Sequence, residues 1–181
     1  TDQGGLTMAE KNNVVLIGMP GSGKSTLGIV LAKIMTKDFI SDIVIQNQCD
    51  KTLQKIIDAC GPEGFIEVEN EILSKIDAEN SVIATGGSAV YSDEAMKHLA
   101  EIGTVVYLKI SYDQLVIVKR LQERQAVVFE GWLCGYELKE LYDERLPLYE
   151  QYAGITVDVN DLSITAAARK VADALAHEGV K

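Results

Sequence analysis

Basic residues are in short supply: 17 lysines and arginines stand against 27 aspartates and glutamates, for a formal net charge of -10 at pH 7. Such a balance repels a phosphate backbone, so nucleic acid is not expected as a partner. Cysteine is sparse as well. Cys49, Cys60 and Cys134 are odd in number and lack CxxC spacing, which excludes a disulfide framework or zinc site and reads as the reduced thiols of a cytoplasmic protein. No apolar run approaches the roughly 18 residues that span a bilayer, and no basic stretch followed by an apolar core opens the chain, so neither a membrane nor a secreted protein is expected. The two histidines, His98 and His177, fall on predicted helices with no metal partner at i+4 and read as surface or hydrogen-bonded side chains. There is no internal repeat and no low-complexity segment. A length of 181 residues is enough to bury one core without disulfides or metal, and a single domain is expected over 8–181, with the polar residues 1–7 a ragged start outside it.

What is present is organised around Gly18-Met19-Pro20-Gly21-Ser22-Gly23-Lys24-Ser25-Thr26, a complete GxxxxGKS phosphate-binding loop. It follows the apolar run Val14 to Ile17 and opens a segment with Leu27, Leu31 and Ile34 at helical spacing. A strand ending in this turn, with a helix beginning at the lysine, aims a row of backbone N–H groups and the positive helix end at one anion. The nucleotide-binding residues expected here are Gly21, Ser22, Gly23, Lys24, Ser25 and Thr26. Lys24 reaches the β/γ-phosphates as a point charge, and the Ser25 hydroxyl is placed to hold magnesium, so ATP and Mg2+ are the expected cofactors.

Further along, Phe39-Ile40 leads through Ser41-Asp42 into Ile43 to Ile45, which places Asp42 at a strand's carboxyl end. Leu53, Ile56, Ile57 and Cys60 predict a helix stopped by Gly61-Pro62; Phe65, Val68, Ile72, Leu73 and Ile76 predict a second, with Glu67, Glu69 and Glu71 on a solvated face. Ser81 to Thr85 reads as a buried strand running into Gly86-Gly87-Ser88, where missing side chains let backbone amides approach a ligand. Ser92 with Asp93 and Glu94 predicts a helix start, Thr104 to Ile110 a strand, and Ser111 with Gln114 a capping box. Residues 122–137 lose periodicity and hold Arg124 and Trp132, as a lid would. Helical spacing returns over Tyr136 to Tyr152, where Pro147 is expected to kink or end it. Ile155 to Val159 closes the sheet and a helix from Ile164 to Leu175 follows. The fold class is α/β: a central five-stranded parallel sheet in three layers, with a binding crevice at the strand carboxyl ends.

On the phosphate loop, Thr85-Gly86-Gly87, Val105-Val106-Tyr107-Leu108, Arg124 and Arg145-Leu146-Pro147-Leu148-Tyr149, the chain resembles the shikimate kinases over about Val14 to Leu175. The resemblance implies a P-loop kinase of aromatic amino acid biosynthesis that phosphorylates the 3-hydroxyl of shikimate with MgATP, with a helical substrate-binding insert over about 42–77 and a lid over about 122–137. It implies that Asp42 binds the acceptor hydroxyls, where it could accept the proton of the attacking one, that Gly86, Gly87 and Arg145 also bind the acceptor, and that Arg124 faces the phosphates. Lys24, Asp42 and Arg124 are thus the expected catalytic residues. The chain departs from the family in three places: only the second of a usual aspartate pair is matched, by Asp42; Ile66 follows Phe65 where an arginine is usual; and Ser88 takes the third glycine of a triplet.

Each residue also has a plainer reading. Asp42 could cap a helix beside Ser41, Arg145 could pair with Glu144 on a solvated face, and Arg124 could be a solvated loop charge. Arg120 could stack on adenine or belong to a basic helix face with Lys119, and Trp132 could close over substrate or pin the lid open. The expected reaction is ATP-dependent phosphoryl transfer to a small hydroxylated, carboxylate-bearing acceptor by a monomer. The alternatives are a kinase for another hydroxylated or acidic metabolite and a nucleotide-binding module without transfer.

Overall fold

The computed structural model describes residues 12–41, 53–124 and 138–181; for 53, 54, 56, 57, 60, 62 and 122–124 it describes the backbone alone. In chain order the elements are β1 (Asn13–Ile17), α1 (Lys24–Met35), β2 (Asp38–Ile40), α2 (Leu53–Lys75), β3 (Ser81–Ala84), a 3-10 turn (Ala89–Tyr91), α3 (Asp93–Ile102), β4 (Gly103–Lys109), α4 (Tyr112–Arg124), α5 (Leu138–Tyr152), β5 (Ile155–Asp158) and α6 (Ile164–His177). The strands form one parallel sheet in the order β2-β3-β1-β4-β5. This is the expected architecture. β1 lies at the centre with Val14 to Ile17 fully buried, the continuous apolar run that a strand covered on both faces requires.

The strand order sets the position of the crevice. The chain leaves β1 toward β2 on one side and leaves β3 toward β4 across β1 on the other. Right-handed crossovers then send the two connections to opposite faces of the sheet. α1 packs with α6, whereas α2 packs with α3. The loops after β1 and β3 therefore diverge from adjacent strand ends, the arrangement that opens a ligand crevice in doubly wound sheets.

Local signals account for three of the helix starts. Ser92 and Ser163 cap α3 and α6 by accepting from the Ala95 and Ala166 amides at 3.1 and 3.2 Å, and the Gln114 amide donates to Ser111 Oγ at 3.2 Å. The helix pair expected on either side of Gly61-Pro62 is present within α2: the backbone leaves helical geometry at Gly61, with φ 70 and ψ 178, and the two helices meet at that kink. Two expectations are corrected. Of the kink or end expected at Pro147, the end is excluded: α5 continues to Tyr152, with its buried residues Arg145 and Tyr149 anchoring the helix on both sides of the proline. Glu69 does not share a solvated face with Glu67 and Glu71: it is 2% exposed. It follows Phe65 and precedes Leu73 at i+4 spacing, so it lies on the buried stripe of α2.

At the opposite end from the crevice, Asn13 fastens three strand starts. Its Nδ2 donates to the carbonyls of Ala78 and Ile102 at 2.6 and 2.9 Å, and its Oδ1 accepts from the Ser81 amide at 2.9 Å. All of this is fully buried. Asn13→Ala strands one N–H and two carbonyls, and should lower unfolding stability by about 2–4 kcal/mol in urea titrations with an unchanged slope. A loss below about 1 kcal/mol would mean that water satisfies those groups in the variant.

Candidate active site

β1 delivers the chain into a loop whose glycines are required by backbone geometry. Gly18, Gly21 and Gly23 have φ of 150, 85 and 86, where an L side chain is strained. At Gly18 there is also no room, because a Cβ would sit 2.9 Å from the Leu108 carbonyl oxygen of β4. The Ser22 amide donates to the Met19 carbonyl at 3.1 Å, and the Leu27 amide to the Gly23 carbonyl at 2.8 Å, starting α1. Lys24, at the first position of α1, is 7% exposed and folds back over the loop, donating from Nζ to the Gly18 and Met19 carbonyls at 2.7 and 2.8 Å. Ser22 Oγ is buried with no hydrogen-bond partner among the described residues, while Ser25 and Thr26 are exposed on the first turn of α1. A buried ammonium, an unused buried hydroxyl and a helix N-terminus fit a nucleotide polyphosphate, and the exposed Ser25 hydroxyl fits a hard divalent cation bound beside it.

β3 delivers the second half. The Thr85 amide and hydroxyl both donate to the Leu16 carbonyl, at 3.2 and 3.0 Å, tying the end of β3 to β1. The turn Gly86-Gly87-Ser88 is then held from three sides. Ser88 Oγ donates to the Glu69 carboxylate of α2, and a Cβ on Gly86 would overlap the same carboxylate. Tyr149 of α5 donates from its hydroxyl to the Gly87 carbonyl at 2.7 Å. A Cβ on Gly87 would lie 2.7 Å from Pro20 of the phosphate loop and 2.8 Å from Arg145 Nη1. Phosphate loop, turn and arginine thus meet at one residue.

Arg145 is 7% exposed, and its Nη1 is buried without a hydrogen-bond partner among the described residues. That excludes the plainer expectation of a surface pair with Glu144. Its Nε instead donates to the Tyr91 hydroxyl at 3.2 Å, and that hydroxyl donates to Glu144 Oε1 at 2.9 Å. Burial raises the phenol pKa of Tyr149, with the Arg145 charge beside it opposing. Tyr149 therefore remains a neutral donor to Gly87. Its ring stacks on Tyr107 of β4 with centroids 5.2 Å apart.

Of the residues expected at the site, Gly21, Ser22, Gly23, Lys24, Ser25, Thr26, Gly86, Gly87 and Arg145 converge on this crevice. Asp42 and Trp132 lie outside the described residues, and so does the Arg124 side chain, whose backbone ends α4. Arg120 is exposed on α4. His98 is hydrogen-bonded through Nε2 to the Ile76 carbonyl at 2.8 Å, as expected of a satisfied side chain. Tyr91 was not singled out by sequence, Tyr149 entered only as part of the Arg145 to Tyr149 motif, and Glu69 was placed on a solvated face rather than at the site. The i+4 spacing of Glu69 with Phe65 and Leu73, and of Tyr149 with Arg145, was the available signal.

The family model for shikimate kinase matches residues 20–176. The chain belongs to the shikimate kinase family. It is 38% identical over 162 residues to a shikimate kinase of Buchnera aphidicola, covering 88% of this chain and 93% of that protein. With a shikimate kinase of Vibrio cholerae it shares 36% identity over 168 residues, covering 91% of this chain and 95% of the relative. The structure of a shikimate kinase from Acinetobacter baumannii in complex with shikimate superposes with a TM-score of 0.79 at 26% identity, covering 93% of this chain and 95% of the other. The protein is accordingly a P-loop kinase, a phosphotransferase with an alcohol group as acceptor, from a family that uses ATP.

The contact at Gly87 gives a direct test of the shared geometry. Gly87→Ala must push Pro20 or Arg145 aside, and misplacement on the order of 1 Å costs about 10²-fold. Acceptor-dependent ADP release should fall by roughly that factor in kcat/KM, with a melting temperature close to that of the parent. Parent-like kcat/KM would mean that the loop and the turn can separate without consequence.

Proposed function

We propose that this kinase transfers the γ-phosphoryl group of MgATP to the 3-hydroxyl of shikimate, giving shikimate 3-phosphate and ADP. The observation that carries the reading is the meeting of the phosphate loop with a buried, incompletely hydrogen-bonded arginine at Gly87, in a chain of this family. The phosphoryl donor is held on one side of that contact and a carboxylate-bearing acceptor on the other. Gly21 to Thr26 and Lys24 bind the polyphosphate, Gly86, Gly87 and Arg145 bind the acceptor, and Arg120 takes the adenine face. Magnesium held at Ser25 neutralises charge on the phosphate oxygens when bound. Asp42 accepts the hydroxyl proton as the acceptor oxygen bonds to the γ-phosphorus and the bond to the ADP oxygen breaks. Arg124 stabilises the charge on the moving phosphoryl. The transition state is loose, so positioning and electrostatics provide most of the acceleration. The enzyme works as a cytoplasmic monomer of one domain over 8–181, with 42–77 the substrate-binding insert and 122–137 the lid.

One observation favours a second acceptor of the same class. Ile66, half-buried on α2, stands where the family resemblance expects an arginine for the shikimate carboxylate. A panel of hydroxy acids and polyols with MgATP distinguishes the two readings. Turnover of another acceptor far above shikimate would replace the acceptor but keep the chemistry. ATP binding with no acceptor-dependent ADP release would leave only a nucleotide-binding module.

The proposed roles have separable kinetic signatures, measured as shikimate-dependent ADP release. Asp42→Asn should lower kcat by about 10²–10⁴-fold, the usual worth of a positioned base. Arg145→Ala should act chiefly on the shikimate KM, and Arg145→Lys should restore it poorly because an ammonium lacks the planar fork. The KM for ATP should hold in all three. Near-parent kcat in Asp42→Asn, together with weakened ATP in Arg145→Ala, would refute both assignments.

A further inference from the structure

We infer that Tyr91 is a positioning residue that fixes the direction from which Arg145 meets the acceptor carboxylate. The inference rests on the proposed role of Arg145 and adds what aims it. Tyr91 ends the 3-10 turn that follows Gly86-Gly87-Ser88, so it is carried by the same backbone that forms the acceptor turn. Its hydroxyl accepts the Nε–H of Arg145 at 3.2 Å, and its ring lies beneath the guanidinium, 5.1 Å from Cζ to the ring centroid. The single phenolic proton is committed elsewhere, to Glu144 Oε1 at 2.9 Å, so the Tyr91 oxygen can only accept from Arg145.

A guanidinium offers its carboxylate-binding fork along either the Nε edge or the terminal edge. Tyr91 occupies Nε. The ring face removes one direction of tilt. What is left is the terminal edge, whose Nη1 is buried, without a hydrogen-bond partner among the described residues, and beside Gly87. Arg145 is therefore presented end-on to the acceptor, and the ordering of a long, flexible side chain is completed before the acceptor arrives. The Glu144 carboxylate at the far end of the relay, Arg145 to Tyr91 to Glu144, polarises the phenol and strengthens it as an acceptor.

Tyr91→Phe keeps the ring and removes the oxygen, which makes it the informative variant. With MgATP and shikimate it should raise the shikimate KM about tenfold, leave kcat within about twofold and leave the ATP KM unchanged. In an Arg145→Lys background, or Arg145→Gln should the lysine variant not fold, Tyr91→Phe should have no further effect, because it acts only through the guanidinium. Additive losses would overturn the inference: Tyr91 would then touch the acceptor itself or merely support the fold. A second readout needs no acceptor. The Arg145 Nε–H signal, assigned in nitrogen-15 spectra by its absence from the Arg145 variant, should exchange with water at least about tenfold faster in Tyr91→Phe than in the parent. Equal exchange in the two proteins would overturn the inference. If the parent protein phosphorylates no shikimate, the proposed reaction fails, and this second measurement still decides the role of Tyr91.

Discussion

Pro20 and Arg145 come from loops and helices far apart in the chain, yet both pack against the Cα of Gly87 so closely that a methyl group there would lie within 2.7 and 2.8 Å of them. That contact constrains the rest of the site. A phosphoryl donor and its acceptor must be brought to bonding distance, and here the separation between the two binding loops is set by van der Waals contact rather than by flexible segments. Two strands make it possible. β1 and β3 are hydrogen-bonded neighbours whose connections leave toward opposite faces, so the loops they carry are adjacent at their starts and diverge around the ligands. The Thr85 hydroxyl, bonded to the Leu16 carbonyl, locks the two strand ends together just before they separate.

The half of the crevice formed by the Gly86 to Ser88 turn and Arg145 is held by side chains rather than by a regular ladder. Turn residues 86–88 receive Glu69 from α2 and Tyr149 from α5, and the next turn contributes Tyr91 to Arg145. Glu69, Ser88, Tyr149 and Arg145 are polar groups in poorly hydrated places, where an unmet hydrogen bond is costly. The arrangement is correspondingly specific. The Glu69 carboxylate is buried against glycine and a serine hydroxyl, Tyr149 stays protonated because burial disfavours its phenolate, and Arg145 keeps one buried nitrogen unsatisfied among the described residues. A buried arginine with an unmet donor is expensive to maintain in a structure whose only task is to fold, and it becomes intelligible if an anion completes it.

Sequence patterns disclosed the phosphate half almost entirely, because its chemistry is written in consecutive residues: the spacing of Gly18, Gly23, Lys24 and Ser25 already implies a strand, a turn and a helix. The alternation of apolar strands and amphipathic helices likewise disclosed the parallel sheet. The other half was legible only in part. Gly86, Gly87 and Arg145 could be named, but what holds the two glycines comes from Glu69, 17 positions from Gly86, and Tyr149, 62 positions from Gly87, and no local pattern encodes such a meeting. Glu69 was misread because glutamates at alternate positions suggest a wet face, whereas its i+4 relation to Phe65 and Leu73 puts it on the buried stripe. Pro147 reads as a kink or an end of the helix, and α5 does not end there, since propensity alone cannot weigh the anchoring of Arg145 and Tyr149 on either side of it.

The most direct test of the central claim is a crystal structure of the protein with ADP, magnesium and shikimate. The account predicts the ADP β-phosphate in the Gly18 to Thr26 loop, the shikimate carboxylate within hydrogen-bond distance of Arg145 Nη1, and the shikimate ring against Gly86 and Gly87, with its 3-hydroxyl directed toward the phosphate side. Shikimate bound with its carboxylate away from Arg145, or absent from the crevice at saturating concentration while ADP is present, would contradict it.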